Sequence, residues 1–271
     1  MAKNKQKKRK KATKAERADR HDLYQRSVQD PEFDVRTFER FFKKYRKRKP
    51  LSVKEDFCGT ALFAVAWCAS NKKRTAVGVD LDQPTLDWGI EHNLKPAGEK
   101  VSSRIQLLNA NVLDVTEPKV DVVCALNFSY CIFKTRAELI QYFRTARESL
   151  VDDGIFVLDL FGGTEAVETH EDPPRKLKGF RYHWEHASYN PIDHHTVCHI
   201  HFSFPDGSRL DRAFTYDWRL WTVPEIRECL EEAGFTTSKV WWDDGDDDAD
   251  YLETETAENQ AGWLAYIVAL K

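Results

Sequence analysis

The sequence predicts an α/β protein built on a doubly wound, mostly parallel sheet, and three observations carry this prediction. Between residues 51 and 163, short apolar runs alternate with helical patterns, the order that builds a parallel sheet. The run at residues 120–126 is apolar almost throughout, as expected for a strand covered on both faces. A turn glycine, Gly59, follows the first run, and an acidic residue, Asp80, ends the second.

The alternation defines the elements of the sheet. The predicted strands are residues 51–57, 75–81, 104–108, 120–126 and 154–161. The predicted helices between them are residues 61–70, 84–94 and 135–150. A helix at residues 223–233, capped by Gly234, precedes two strands at residues 238–242 and 263–270, which could form a hairpin at the sheet edge. With these two strands, the predicted sheet has seven strands.

The segment before the first strand has two parts. Residues 1–11 are basic and of low complexity, so we predict that they form a disordered tail. Residues 12–30 and 31–46 have apolar positions at helical spacing, with Pro31 as the break between them. We therefore predict a helical cap over residues 12–50.

A change of pattern after the fifth strand indicates an insert. The runs at residues 180–189, 196–204 and 209–221 alternate and are rich in aromatic residues. Turn signals, Asn190-Pro191 and Pro205-Asp206-Gly207, separate them. We predict a three-stranded antiparallel insert at about residues 175–222, within a single domain that spans residues 51–271.

Bulk composition bounds the class of protein. The 271 residues, 41% of them hydrophobic, are enough for one elaborated domain. No stretch reaches the ~18 apolar residues of a membrane helix, and no apolar segment follows the basic N-terminus as in a signal peptide. Six cysteines without a C-x-x-C pair indicate reduced, buried thiols. The sequence predicts a cytoplasmic protein with no membrane partner, and it indicates no oligomeric state.

Charge is unevenly distributed along the chain. Residues 1–20 hold ten lysines and arginines against two acidic residues, although the whole chain has a net charge of −3. Such a tail could contact nucleic acid or an acidic partner. We favour the simpler interpretation of a solvated tail that aids solubility.

Gly59 and Asp80 together indicate an adenosine-containing ligand. Ligands of doubly wound sheets lie beyond the carboxyl ends of the strands, where a glycine lets backbone and ligand approach closely. An acidic residue about 20 positions later can accept hydrogen bonds from ribose hydroxyls, and Asp80 has this spacing from Gly59. The alternatives are a plain turn for Gly59 and a helix N-cap for Asp80.

The loop after the first strand distinguishes between two such ligands. A dinucleotide requires G-x-G-x-x-G for its pyrophosphate, but Phe57 occupies the first glycine position. S-adenosylmethionine has no phosphate and carries an ammonium and a sulfonium, which a carboxylate such as Glu55 would stabilise. The alternative for Glu55 is a buried ion pair.

The segments EDFCGTA and AVGVDLD resemble the first two motifs of the class I S-adenosylmethionine-dependent methyltransferases, a Rossmann-like family whose last strand is antiparallel. Glu55 matches the acidic position of the first motif, Gly59 its central glycine and Ala61 its last glycine. The resemblance extends over residues 51–163 and implies S-adenosylmethionine as the cofactor. It implies cofactor contacts at Tyr24, Glu55, Cys58, Gly59, Thr60, Asp80, Leu81, Asn111, Val112 and Asn127.

Individual roles follow from the same resemblance. Asn111 would contact the adenine amine and Val112 would offer its backbone amide, although Asn111 could equally cap or turn the chain. Asn127 falls in the motif after the fourth strand, and Tyr24 in the helical cap would close over the cofactor. Tyr130, near Asn127, is our candidate catalytic residue, facing the substrate.

The insert would form a lid over the acceptor, as it does in many members of the family that act on small molecules. Aromatic residues wall a pocket and exclude water around a sulfonium, so we predict that Trp184 and Tyr216 contact the substrate. Arg219 is a candidate anchor for a carboxylate or phosphate. The alternatives are ordinary sheet packing for the aromatic residues and a solvated arginine.

Two clusters resemble metal sites only superficially. His199 and His201 alternate on one face of a strand, but their spacing matches no zinc motif. The acidic run at residues 243–248 lacks EF-hand spacing, and we interpret it as part of a hairpin loop. We predict no metal.

These observations support one leading function and several rivals. We predict an S-adenosylmethionine-dependent methyltransferase that acts on an O or N atom of a small molecule by direct displacement. The alternatives are an RNA or protein methyltransferase recruited through the basic tail and a non-catalytic S-adenosylmethionine-binding module. A nicotinamide-dependent oxidoreductase is disfavoured by Phe57.

Overall fold

A computed structural model describes residues 12–243 and 251–271. The described chain begins with three helices, α1 (Lys14–Arg17), α2 (Arg20–Val28) and α3 (Pro31–Arg46). The prediction of one helix over residues 12–30 is wrong, because Asp19 interrupts it. The Asp19 carboxylate accepts the first backbone N–H groups of α2 and so starts a new helix there. The predicted disordered tail lies outside the described residues.

Strands and helices then alternate along the chain. The elements are β1 (Ser52–Asp56), α4 (Leu62–Ser70), β2 (Thr75–Asp80), α5 (Gln83–Gly89), α6 (Lys95–Ala97), α7 (Glu99–Ser102), β3 (Ile105–Asn109), β4 (Val120–Ala125), α8 (Arg136–Glu148) and β5 (Leu150–Gly162). A π-helical segment, Ile90–Leu94, joins α5 to α6, so the helix predicted at residues 84–94 is only partly regular α-helix. The fifth strand is longer at both ends than predicted.

The insert and the closing elements follow. The insert consists of β6 (His170–Glu171), β7 (Arg175–Leu177), β8 (Phe180–Tyr189), β9 (His195–Ser203) and β10 (Arg209–Arg219). The closing elements are α9 (Val223–Glu232), β11 (Thr237–Trp242), β12 (Leu252–Thr254) and β13 (Trp263–Leu270). The three long strands of the insert are those predicted, and the short β6 and β7 both pair with β8.

The main sheet confirms the predicted doubly wound architecture. Its strand order is β12-β11-β13-β5-β4-β1-β2-β3, with β1 to β5 parallel and β13 antiparallel to both neighbours. The seven predicted strands are all present, and the short β12 adds an eighth at the edge. Successive strands run outward in opposite directions from β1, to β2 on one side and to β4 on the other. This switch point is where open α/β sheets bind ligands.

Apolar layers cover both faces of the main sheet. On one face α3 and α4 pack Phe38, Phe41 and Trp67 against the strands, and on the other α8 and α9 contribute Phe143 and Leu230. A third cluster joins Leu23 of α2 to Phe180, Ile200 and Phe202 of the insert. The helical cap therefore contacts the insert through α2 as well as the main sheet through α3. All six cysteines are buried and unpaired, as predicted.

Among the described residues, no helix is both long enough and apolar enough to cross a membrane.

Candidate active site

A cavity of about 330 Å³ lies at the carboxyl ends of β1, β2 and β4, at the switch point of the sheet. We call it the Gly59 cavity. The sheet side of its wall includes Glu55, Cys58, Gly59, Thr60, Asp80 and Asn127. Tyr24 of α2 and Tyr216 and Trp218 of the insert also line it. The structure thus gathers in one cavity eight of the residues predicted to bind cofactor or substrate: Tyr24, Glu55, Cys58, Gly59, Thr60, Asp80, Asn127 and Tyr216.

The loop after β1 has the backbone path of a glycine-rich turn despite its bulky residue. Phe57, Gly59 and Ala61 have φ angles of 59°, 52° and 55°, in the left-handed region that favours glycine. The ring of Phe57 packs edge-on against Phe133 and Tyr142, at centroid distances of 6.2 and 5.6 Å. This packing offsets the cost of the backbone conformation, so the loop keeps its path with Phe57 in the place of a glycine.

Asp80 fixes the two loops that meet at the cavity. One carboxylate oxygen accepts the Gly59 N–H at 2.8 Å, and the other accepts the Asp82 N–H at 2.9 Å. The N-cap of α5 is Asp82, so the alternative of a helix cap at Asp80 does not hold. Carboxylate oxygens can accept further hydrogen bonds, which leaves Asp80 able to receive hydroxyl donors from a ligand in the cavity.

Glu55 is a buried carboxylate without a compensating cation. Its side chain is 4% exposed, its Oε2 has no hydrogen-bond partner, and no described residue forms an ion pair with it. Burial, reinforced by the nearby Asp34 charge, raises the pKa of Glu55 well above its usual value. The alternative of a buried ion pair therefore does not hold among the described residues. An unpaired carboxylate beside the cavity fits a ligand that carries an ammonium group, as S-adenosylmethionine does.

The helical cap and the insert close the other side of the Gly59 cavity. Tyr24 and Tyr216 both line the cavity, and the Tyr24 ring lies 4.9 Å from that of Phe214. The Gln25 amide donates to the Thr60 hydroxyl at 2.6 Å, which ties α2 to the loop after β1. Since α2 reaches both walls, it lies where the sequence predicted a cover for the cofactor.

A second cavity, of about 370 Å³, adjoins the first, and Gln29, Leu126 and Asn127 line both. We call it the Asp159 cavity. Its other lining side chains include Asp34, Asp159, Tyr182, Trp184, Tyr251 and Tyr266. The predicted substrate residues Trp184 and Tyr216 therefore lie in different cavities of one connected site.

Two carboxylates with unusual environments face the Asp159 cavity. Asp159 accepts the backbone N–H groups of Asn127 and Phe128, at 2.7 and 2.8 Å. Burial, with a smaller contribution from the Asp34 charge, raises the pKa of Asp159 to about 7. Asp34 accepts the Tyr266 hydroxyl at 2.9 Å, and burial likewise raises its pKa to about 7. The site thus holds two carboxyl groups that change charge near neutral pH.

Sequence reasoning missed both of these residues. Asp159 had a signal, because it is a lone carboxylate in the apolar run GIFVLDLF and lies near the carboxyl end of a central strand. Asp34 had none, since an acidic residue in the first turn of a helix is ordinary. Only the packing of α3 against the sheet brings it to the cavity.

Tyr130, predicted to face the substrate, lies in the core instead. It is fully buried in the cluster between the sheet and α8, lines neither cavity, and its hydroxyl donates to the Asp159 carbonyl at 2.9 Å. The 3₁₀ turn Ser129–Ile132 directs this side chain inward. Its position argues against a catalytic role and assigns it to packing, where its hydroxyl supports the Asp159 backbone.

Arg219, predicted as a substrate anchor, makes its contacts within the protein. It donates to the Lys134 carbonyl at 3.0 Å, pairs with Glu225 at 2.9 Å and lies 3.8 Å from the centre of the Trp221 ring. Glu225 also belongs to the capping box of α9, where its carboxylate accepts the N–H of the N-cap residue Thr222. Arg219 lines neither cavity, so it joins β10 to α9 rather than anchoring a ligand.

Three of the predicted cofactor contacts, Leu81, Asn111 and Val112, lie outside the lining of the Gly59 cavity. The Asn111 side chain accepts the Leu113 N–H at 3.0 Å and caps the 3₁₀ turn Val112–Asp114, which is the alternative role named for it. Val112 is 4% exposed, whereas Leu81 is 69% exposed directly after Asp80. Any contact of these residues with a ligand stays a prediction.

The two histidines considered as zinc ligands, His199 and His201, are hydrogen-bonded within the protein. His199 contacts Thr215 at 3.0 Å, and His201 pairs with Glu185 at 2.9 Å. Within the described part of the chain, one group has the composition of a metal site, namely His170, Asp172 and His186. There the His186 Nε2 accepts the Trp184 indole N–H at 2.9 Å, and the rings of His170 and His186 are stacked. The calcium-like acidic run lies almost entirely outside the described residues.

Comparison with known proteins identifies solved structures that have a similar fold. No protein-family model and no curated protein matches the chain. An S-adenosylmethionine-dependent methyltransferase from Clostridium acetobutylicum is 15% identical, with a TM-score of 0.65 over 91% of this chain and 96% of that one. The S-adenosylmethionine-bound amino pentose methyltransferase CalS10 from Micromonospora echinaspora is 12% identical, with a TM-score of 0.66 over 92% and 95%. The sugar N-methyltransferase KedS8 from Streptoalloteichus is 17% identical, with a TM-score of 0.63 over 100% and 98%.

Each of these structures aligns along nearly its whole length and covers at least 91% of this chain. At such identities the likeness concerns the fold. The chain has the fold of the class I S-adenosylmethionine-dependent methyltransferases.

Proposed function

We propose that this protein is an S-adenosylmethionine-dependent methyltransferase that methylates an O or N atom of a small molecule. The observation that carries the proposal is the pair of adjoining cavities at the switch point. The Gly59 cavity presents carboxylates suited to the cofactor, and the Asp159 cavity presents carboxylates and aromatic rings suited to an acceptor. Structures of the same fold described as amino pentose and sugar N-methyltransferases support a compact acceptor.

The Gly59 cavity offers specific partners to the cofactor. Asp80 would accept the ribose hydroxyls, Glu55 would face the ammonium, and Arg20, which also lines the cavity, would face the carboxylate. The rings of Tyr216 and Trp218 suit a sulfonium, because aromatic faces attract cations. Leu81 and Val112 would border the adenine, and the backbone of the loop at Cys58, Gly59 and Thr60 would border the methionine portion.

The chain contributes positioning and desolvation to the reaction. When bound, S-adenosylmethionine supplies an electrophilic methyl group on a sulfonium. Asn127 borders both cavities, so the acceptor atom would meet the methyl group beside it. Asp159, held by the Asn127 N–H, is the group placed to receive a proton from an O–H or N–H acceptor. Aromatic walls exclude water, which would otherwise compete for the methyl group.

Calorimetry with S-adenosylhomocysteine tests the cofactor site. We expect Asp80→Ala to weaken binding at least tenfold, about 1.4 kcal/mol, because the ribose hydroxyls lose a charged acceptor. Asp87→Ala is the matched control, since Asp87 is an exposed acidic residue of α5 that does not line the cavity. Thermal unfolding of both variants would establish that they fold.

The outcome separates the proposal from its rivals. Folded wild-type protein that binds neither S-adenosylmethionine nor S-adenosylhomocysteine would exclude a methyltransferase. Equal losses of affinity in Asp80→Ala and Asp87→Ala would exclude the ribose contact of Asp80 but not the methyltransferase activity. An RNA or protein acceptor recruited through the basic tail stays a prediction, because most of that tail lies outside the described residues.

A further inference from the structure

The Asp159 cavity carries more carboxylates than cations. Asp30, Asp34, Asp159 and Asp172 line it, against the single arginine Arg175. The Arg175 guanidinium donates to the Ser27 carbonyl and lies 5.0 Å from the centre of the Tyr182 ring. No described residue forms an ion pair with Asp34 or Asp159. Asp172 contacts the His170 ring at 2.9 Å, so the carboxylates of the cavity without a cationic partner among the described residues include Asp34 and Asp159.

Such a surplus is costly unless a ligand compensates for it. A carboxylate removed from water requires a cation or several hydrogen-bond donors, and here the donors are one hydroxyl for Asp34 and two backbone N–H groups for Asp159. A neutral alcohol would leave the charges unpaired, and a carboxylate or phosphate would be repelled. A cation would be attracted by both carboxylates.

The aromatic residues that line the Asp159 cavity also favour a cation. Tyr182, Trp184, Tyr251 and Tyr266 present aromatic rings to the cavity. Aromatic faces attract ammonium groups, and the attraction is stronger where water is excluded. Carboxylates and aromatic rings around one cavity form the usual chemistry of an ammonium site.

We infer that the methyl acceptor is an amine, which binds as its ammonium ion between Asp34 and Asp159 and passes a proton to Asp159 before methylation. The inference rests on the proposed function and specifies its substrate class. We assign the proton-accepting role to Asp159 because its carboxylate accepts the N–H of Asn127. Asn127 lines both cavities, so Asp159 lies near the point where they meet.

The proton and electron balance is complete. An alkylammonium ion, whose pKa resembles that of lysine at about 10, has no free lone pair. Transfer of one N–H proton to an Asp159 oxygen leaves the electron pair on nitrogen. That pair forms the new N–C bond while the methyl–sulfur bond breaks and its electrons stay on sulfur. Asp159 then releases its proton to solvent, and a pKa of about 7 permits this release near neutral pH.

The net charge of the Asp159 cavity depends on all the titratable groups that line it. From the cap, the main sheet and the insert these are Asp30, Asp34, Asp159, Asp172, Arg175, Tyr182, Tyr251 and Tyr266, with Glu55 in the adjoining cavity. Burial raises the pKa of each of the three tyrosines, so these stay neutral near pH 7. The carboxyl groups therefore control the charge of the cavity in that range.

Two probes of nearly equal shape test the inference without turnover. We would measure the binding of 2-phenylethylamine and 2-phenylethanol by calorimetry at pH 7.5, on the full chain saturated with S-adenosylhomocysteine. The amine should bind at least tenfold more tightly than the alcohol. In Asp34→Asn and in Asp159→Asn this preference should fall to threefold or less, while Asp152→Asn, an exposed residue of the same strand as Asp159, should keep it. In the wild type the preference should shrink as the pH falls from 8 to 5.5.

Each outcome decides the question. If S-adenosylhomocysteine binds but the amine does not, or the two probes bind equally, the inference is overturned and the proposed function survives. A preference that persists in both variants overturns it as well, because the cation then binds elsewhere. Failure of S-adenosylhomocysteine to bind removes the proposed function first. If a variant does not fold, the wild-type pH dependence still decides, since a preference independent of pH contradicts carboxylates that titrate near 7.

Discussion

At the scale of single residues, β1 contrasts two uses of buried charge. Lys54 is fully buried and donates to the Val115 carbonyl at 2.8 Å and the Ser149 hydroxyl at 3.1 Å, and it pairs with Asp56 at 3.0 Å. Glu55, between them in sequence, points to the other face of the strand and has no cation. The first arrangement stabilises the protein by itself, whereas the second is completed only by a ligand.

Lys54→Met separates these two uses. We expect the free energy of unfolding to fall by about 3–5 kcal/mol, because Asp56 is left buried without its cation. Urea unfolding would measure the loss. Glu55→Gln is the matched control on the neighbouring position, and it should change stability by less than about 1 kcal/mol.

The control also carries a functional readout. Because Glu55 faces the Gly59 cavity, Glu55→Gln should weaken S-adenosylhomocysteine binding although stability is kept. A large loss of stability in Glu55→Gln, comparable to that of Lys54→Met, would mean that Glu55 is a structural residue. The assignment of its carboxylate to a ligand ammonium would then be wrong.

At the scale of elements, the loop after β1 is held from outside by two helical segments. The Asn93 amide of the π-helical segment donates to the Thr60 carbonyl at 2.8 Å, and the Gln25 amide of α2 donates to the Thr60 hydroxyl at 2.6 Å. Gly89, at the end of α5, lets this backbone approach. A Cβ there would lie 2.4 Å from the Thr60 carbonyl oxygen.

Gly89→Ala should therefore displace the loop. We expect a loss of about 1–3 kcal/mol in the free energy of unfolding, since backbone atoms must move to relieve the clash. Binding of S-adenosylhomocysteine should weaken as well, because Thr60 and Gly59 move together. Gly262→Ala is the control, as a Cβ at Gly262 meets nothing within 4 Å. Unchanged binding in a destabilised Gly89→Ala would show that the loop position does not govern the cofactor site.

At the scale of the whole molecule, the sequence predicted the sheet because its parallel strands are buried on both faces and read as continuous apolar runs. The loop after β1 was equally readable, since its motif is contiguous. Asp80 was found because its distance from Gly59 along the chain follows from a β-α-β unit. These are all features in which sequence order determines spatial position.

Features that depend on packing between distant elements were not readable. The position of Asp34 and Asp159 on one cavity requires α3 to lie over β5, and no local pattern specifies that packing. Tyr130 shows the converse, because its closeness to Asn127 in sequence did not determine which way the turn directs its ring. Arg219 was misjudged because its partners, Lys134 and Glu225, belong to elements whose docking the sequence does not reveal.

At the same scale, the raised pKa of Asp34 should make the free energy of unfolding depend on pH. Asp34 has its pKa raised from 3.8 to about 7 on folding, so between these values the folded state binds more protons than the unfolded state. Stability contributed by the protonated form is present below about pH 4 and is lost as the pH rises towards 7.

Asp34→Asn keeps an acceptor for the Tyr266 hydroxyl but removes this titration, so it should gain stability relative to wild type over that window. The difference should reach about 2 kcal/mol at pH 7.5, less than the full 1.4 kcal/mol per pKa unit, because the charges of Asp34 and Asp159 influence each other. Urea unfolding at several pH values between 4 and 7.5 would measure it, and a difference between the two proteins that does not change with pH would show that Asp34 is ionised throughout and already compensated in the ligand-free protein.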